Sequence, residues 1–505
     1  MLGVYGLSRI VVNTVALALG SVVLALLAGL GLAVAVAELP NRWQPRTVLV
    51  AVFPMLLPPM AGITGWAFVF APTVGYGNQV LRALTGSEAS SGPLNIYTVP
   101  AITLVTALYL TPYAFIFLFP AVRGIDPRLL DAARVHGSAG FVTHLRVTVP
   151  LIRPALTFAT AILLLLGLGQ FAAPLLLGRA EGIDVLTTSM FRFAVVFPVD
   201  RNAAALLSLP LVLAALALVL AHSRLLAQRT KYQTVASVRT PRASTRRWPA
   251  IVVFGYGVIA VVPPVAALVL VSLQPFWSGR ISLADVTFRH FEELWSNPTN
   301  RAAVWNTIEF SVLGTVVGVV LSAWLGLVIV RGRGVVKRLA DLVVNLPLAV
   351  PGVVLGMGVL LAYGLGPLGL YGSRVVFVLA FAVIFLPLGV RMVAASLMQV
   401  GPQYEAAART CGAGPLRAAG RILLPLVRPG IAGAAMLLFV MMSHEFAAAQ
   451  LLATSGTQVM STQLWGLWEN GSYPAVAAVS LVMTAISFAG ALLLARLGAI
   501  DALGR

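Results

Sequence analysis

The chain is poor in charge, in lysine and in cysteine, and each shortage excludes something. Only 10% of its 505 residues are charged, against 59% hydrophobic, and the mean hydropathy is +0.95. A soluble domain carries about a quarter charged residues, so a water-soluble globular protein is excluded. Lysine occurs at Lys231 and Lys337 only, and neither follows a glycine. No G-x-x-x-x-G-K-[ST] phosphate loop can be built, so any ATP must be bound by another chain. Cys411 is the single cysteine, which rules out an intramolecular disulfide and leaves the redox compartment open. His136, His144, His222, His290 and His444 show no metal-ligand spacing, and no catalytic constellation appears.

What is present is apolar length. Eleven stretches of about 20 or more residues recur, at about 11–37, 48–70, 97–122, 154–178, 202–224, 249–273, 304–330, 339–363, 375–397, 429–454 and 474–495. Backbone groups cannot go unpaired in lipid, so such runs predict helices. The expected fold is an all-α, polytopic membrane protein with about 11 spans. Placing the loops after odd-numbered spans in the cytoplasm puts 25 of the 34 basic residues on that side. The net charge of +18 then divides as about +19 inside and −1 outside. The basic balance is topological, and no nucleic-acid partner is expected. This orientation places the N-terminus outside. Ala35-Val36-Ala37 resembles a signal-peptidase site, but the apolar run from Ile10 to Ala37 is too long for a signal core.

The sequence also repeats itself. Asn13-Thr14 recurs as Asn306-Thr307, and Pro54 and Pro58 recur as Pro347 and Pro351, all 293 residues on. Downstream the offset is 275: Pro112 maps to Pro387, Gly137 to Gly412, Pro150 to Pro425, and Arg153-Pro154 to Arg428-Pro429. The 18-residue difference falls in the outer loop around 73–98, where extra length costs little. The halves are parallel, not inverted. Residues 1–227 form a first half of five spans, 228–248 a basic cytoplasmic linker, and 249–505 a second half of six spans. Span 249–273 has no partner, so the first half lacks a leading helix, either lost or lying before the present start.

Each half carries one cytoplasmic loop of shared pattern. In 131–150 it is Asp131-Ala132-Ala133, three residues, Gly137, nine residues, and Val147-Thr148-Val149-Pro150. In 405–425 it is Glu405, then Ala406-Ala407-Ala408, Gly412, and Ile422-Leu423-Leu424-Pro425. Small Ala residues let a partner approach closely, an acid in the first turn suits the helix dipole, and the glycine allows a sharp turn. These two loops resemble the EAA loops of permeases of binding-protein-dependent ABC importers with the type I fold. The first copy has Asp for the family's Glu. The second has Ala406 in the Glu register and Glu405 one residue earlier, which leaves open which acid acts.

The resemblance covers essentially the whole chain and implies a multi-pass permease in the cytoplasmic membrane of a prokaryote. It implies that Asp131, Ala132, Ala133, Gly137, Pro150, Glu405, Ala406, Ala407, Gly412 and Pro425 couple to ATPase subunits. Two loops imply two ATPase copies, which carry the ATP and magnesium, together with an external solute-binding protein. No cofactor or metal is expected on this chain, and it is not expected to be an enzyme. Fused permeases of this length resemble most the iron(III) importers, then those for thiamine, phosphonates and polyamines. The segment from Ser455 to Gly471 looks more like the iron branch.

For the path, the repeat maps Glu445 to Gln170, both inside apolar spans. Charge within a span is costly and often functional. Either the two polar groups line a shared cavity, or they only bond neighbouring helices. Thr188 and Thr462, in matched outer segments 183–192 and 457–466, either contact a solute or cap helices. The rival class is an ion-coupled secondary transporter, which generally needs several buried carboxylates; only Glu445 is deeply placed.

Overall fold

A computed structural model describes residues 4–227, 247–364, 370–494 and 496, apart from positions 88, 139, 283 and 402. All but the last two residues of the expected linker, 247 and 248, fall outside these. The chain divides into two compact units, Met1–Val286 and Thr287–Arg505. Both are helical.

The first unit comprises α1 (Val4–Glu38), α2 (Gln44–Val52), α3 (Pro59–Phe70), α4 (Tyr76–Thr85) and α5 (Val99–Arg123). It continues with α6 (Pro127–Val135), α7 (Arg153–Leu168), α8 (Leu186–Val195), α9 (Arg201–Ala227) and α10 (Trp248–Ser272). Its core is the bundle of α1, α5 and α7. Small residues let these helices close up without a hydrophobic drive. A side chain at Gly29 of α1 would collide with Ala114 and the backbone of Phe115 on α5. Ala35, Val36 and Ala37 are buried within continuous α1, in a cluster with Phe115 and Leu118.

The second unit comprises α11 (Arg289–Ser296), α12 (Pro298–Arg331), α13 (Gly334–Asn345), α14 (Gly352–Gly364) and α15 (Arg374–Gln399). Then come α16 (Gln403–Thr410), α17 (Leu424–Ser443), α18 (Ala447–Leu452), α19 (Met460–Glu469) and α20 (Tyr473–Leu494). Its core is α12, α15 and α17. These are the repeat counterparts of α1, α5 and α7. The duplication seen in sequence is thus a duplication of a three-helix core.

Among the described residues eight helices are long and apolar enough to cross a membrane, or up to ten if each bent pair is one span. Eleven continuous helices are not what forms. Expected span 48–70 is Gln44–Leu56 and Pro59–Phe70, bent by 85°. Its counterpart 339–363 is α13, a single tight turn at Leu346–Ala349, and α14. The cause is the shared Pro pair, Pro54 with Pro58 and Pro347 with Pro351. A proline removes a backbone donor and clashes with the preceding turn. Spans 154–178 and 429–454 also stop short, at Leu168 and Ser443.

Sequence repeat and packing divide the chain at different points. Helix α10 follows the linker, yet it packs on α3 and α1 in the first unit. Tyr256 Oη donates to Leu108 O at 3.1 Å, and a side chain at Gly65 would meet the Pro264 backbone. The 18 extra residues near 73–98 are folded, not slack. Asn78, fully buried, donates to Phe70 O, Ala71 O and Leu94 O, and Arg82 holds Thr73 O, Ala89 O and Ser90 O.

Candidate functional site

The two motif loops fold alike. Helices α6 and α16 end in the same cap, in which Ser138 N–H reaches Ala133 O at 2.9 Å and Ala413 N–H reaches Ala408 O at 3.0 Å. Both closures run across a left-handed glycine, Gly137 or Gly412, each at φ 80°. This is the Schellman arrangement, which an L side chain disfavours. A five-residue π turn follows in each, His144–Thr148 and Ala419–Leu423, 275 residues apart. It closes with Val149 N–H to His144 O and Leu424 N–H to Ala419 O, just ahead of Pro150 and Pro425. The loops differ after that. The first bends by 74° between Leu151 and Arg153, whereas α17 runs on through Pro425 and Pro429.

Both loops expose alanines among polar neighbours, Arg128 and His136 on the first and Gln403, Arg409 and Thr410 on the second. Ala132, Ala406 and Ala407 are exposed, Ala133 and Asp131 half-buried, and Val135 is 85% exposed at the end of α6. Glu405 is turned back into the protein. Arg331 Nε donates to its Oε1 at 2.6 Å, and another Arg331 nitrogen donates to Val400 O at 2.7 Å. The outward position in the second loop is therefore Ala406, and Glu405 ties α16 to the end of α12. In the first unit Glu38, the repeat counterpart of Arg331, lies 3.4 Å from His144 Nε2. The last residue of the first core helix thus meets the loop in each unit, Glu38 at the π turn and Arg331 at the start of α16.

Gln170 and Glu445 sit where the core helices break. Helix α7 ends at Leu168 and α17 at Ser443, and both side chains are half-buried. Ala448 N–H donates to Glu445 Oε1 at 2.8 Å, so the carboxylate caps α18. Gly352, the first residue of α14, lies beside the same oxygen, which is 3.7 Å from where its Cβ would be. A helix start favours a negative charge there. Among the described residues no group of three or more His, Cys, Asp or Glu is gathered.

Above the breaks, one hydrogen-bond set occurs twice. Thr187 Oγ1 donates to Gln170 O at 2.5 Å, and Ser461 Oγ to Glu445 O at 2.7 Å. Asn13 Nδ2 donates to Asp184 O at 3.2 Å, and Asn306 Nδ2 to Gln458 O at 2.8 Å. Leu186 N–H donates to Thr14 Oγ1 at 2.9 Å, and Met460 N–H to Thr307 Oγ1 at 2.8 Å. Thr188 and Thr462 are buried, and their hydroxyls close the first turns of α8 and α19 on Val185 and Val459. Of the two sequence readings of these threonines, the geometry is that of caps. Sequence reasoning used Asn13-Thr14 and Asn306-Thr307 only as repeat markers. Their recurrence was the available signal of a shared role.

Residues 314–499 match the family described as binding-protein-dependent transport system inner membrane component. The chain is 22% identical over 471 residues to the ferric transport system permease protein FbpB of Actinobacillus pleuropneumoniae, a match covering 91% of this chain and 67% of that one. It is 23% identical over 441 residues to the putative ferric transport system permease protein FbpB 1 of Haemophilus influenzae, covering 85% and 68%. It is 29% identical over 232 residues to the molybdenum transport system permease protein ModB of Mycobacterium tuberculosis, covering 44% and 82%. Residues 314–499 thus carry the inner membrane component of binding-protein-dependent transport, and the chain as a whole is similar to permeases of ABC importers. It is a multi-pass inner membrane protein, and the relatives named are permeases, transport components and not enzymes.

Proposed function

We propose that this chain carries both permease halves of an importer, 1–227 and 249–505 joined by 228–248, and that its solute is ferric iron. The loops 131–150 and 405–425 seat on two copies of an ATPase subunit, which hold the ATP and magnesium. An external binding protein delivers the solute. The observation that carries this reading is the duplicated loop: two short helices ending on a left-handed glycine, each followed by a π turn at one offset, each presenting alanines. A shallow alanine face fits a groove on a soluble partner, and two such faces fit a pair of identical subunits.

The ferric assignment is supported by the two FbpB relatives that match over most of the chain. Thiamine, phosphonate and polyamine are the next solutes, and the molybdenum and 2-aminoethylphosphonate permeases among the relatives are similar over 44% of the chain. Gln170 and Glu445, half-buried at matched helix breaks, are the residues we place on the path. Two measurements test the proposal. The ATPase should copurify with the chain at two copies per permease, and vesicles holding the complex with its binding protein should take up labelled ferric iron in an ATP-dependent way. A permease that holds no ATPase, or vesicles that take up molybdate or thiamine but not iron, would overturn the first or second part.

A further inference from the structure

We infer that α1 and α12 act as rods that carry displacement of the coupling loops across the membrane to the loops 183–192 and 457–466. The inference rests on the reading of 131–150 and 405–425 as ATPase-side loops. Each rod is held at both ends, at the outer end by groups that recur in the repeat and at the inner end by different ones. At the inner end, Glu38 of α1 meets His144 of its loop, and Arg331 of α12 meets Glu405 and Val400 O. At the other end, Asn13 and Thr14, or Asn306 and Thr307, hold the backbone at Asp184 and Leu186, or at Gln458 and Met460.

The threonines are well set for this. Each hydroxyl donates down its own helix, Thr14 to Ile10 O and Thr307 to Ala303 O, which orients a lone pair toward the loop amide. From Asn306 to Arg331 the rise of an α-helix gives about 37 Å, enough to span a hydrocarbon core of about 30 Å. Stiffness points the same way. Helices α5, α9, α10, α15 and α17 carry interior prolines, whereas α1 has none and α12 has only Pro298 at its first residue. Kinks in helices form mostly at proline, so α1 and α12 lack the usual cause of a bend, a property they share with α20. The far loops pass the motion on, because Thr187 and Ser461 bond the carbonyls of Gln170 and Glu445 at the helix breaks. Inner loop, outer loop and mid-membrane break are thereby one mechanical unit in each half.

The test is hydrogen exchange of the assembled permease–ATPase complex in nanodiscs, nucleotide-free and trapped with ATP and vanadate. In the native complex, peptides covering 183–192 and 457–466 should change exchange on trapping. In the protein bearing Asn13→Leu, Thr14→Val, Asn306→Leu and Thr307→Val, the loops 131–150 and 405–425 should still respond to the ATPase. The response of 183–192 and 457–466 should be lost, and the Met460 amide should exchange about fivefold faster, the factor for one hydrogen bond of ordinary net strength. Thr14→Ser with Thr307→Ser keeps both hydroxyls and should behave as native. If the fourfold variant does not assemble, Thr307→Val alone should lose the response at 457–466 only. A native response of both far loops in the fourfold variant, or of 457–466 in Thr307→Val, overturns the rod. Absence of ATPase-dependent protection at 131–150 and 405–425 in the native protein overturns instead the coupling reading beneath it.

Discussion

Valine at both Gly137 and Gly412 should uncouple transport while leaving the permease folded. Each glycine lies at φ 80°, and a Cβ built on either would meet nothing within 4 Å. No clash contributes, so the whole cost is backbone strain. A non-glycine residue in the left-handed region costs about 1–3 kcal/mol, with a β-branched residue toward the upper end. The alternative to bearing that strain is to open the cap, which loses the bonds from Ser138 to Ala133 and from Ala413 to Ala408. If the strain is relieved only when the loop leaves its docked shape, it weakens each ATPase contact by about five- to 150-fold. Asparagine tolerates this conformation better, so Gly→Asn should be mild, Gly→Ala intermediate and Gly→Val severe. The assay is copurification of the ATPase, stimulated ATP hydrolysis and solute uptake across that series, with melting temperature as the control. Full uptake and stimulation by the double Val protein would refute the reasoning.

Two further outcomes are expected. A cysteine at Ser278 should react with an impermeant thiol reagent in intact cells, whereas one at Ser244, outside the described residues, and native Cys411, exposed on the second motif loop, should be protected; the reverse pattern would invert the orientation. Glu445→Gln keeps an acceptor for Ala448 N–H and should leave stability near native, while Glu445→Leu should lower it by about 1–3 kcal/mol. Normal uptake by Glu445→Gln beside a less stable Glu445→Leu would make Glu445 a cap only, and lost uptake at unchanged melting temperature would keep it on the path.

Class, repeat and the shape of the paired motif loops were legible in the residues alone, because each rests on a local or compositional constraint. Lipid demands long apolar helices, the positive-inside bias sorts the loops, and a turn needing a left-handed residue asks for glycine at Gly137 and Gly412. Where a proline pair would split spans 48–70 and 339–363 was also written locally, in Pro54, Pro58, Pro347 and Pro351, although the apolar run hid it. The partners of polar groups were not legible. Glu405 reads as the acid of a coupling motif until α12 brings Arg331 to it across 74 residues. Thr14 and Thr307 look like ordinary helix residues until the chain returns more than 150 residues later with an amide for each. Helix α10 follows the linker in sequence, yet its small and proline-bearing surface packs on α3 and α1. Periodicity and composition determine which segments enter the membrane. Which of them touch is decided by packing between segments far apart in the chain, where each buried donor must find an acceptor that no local pattern names.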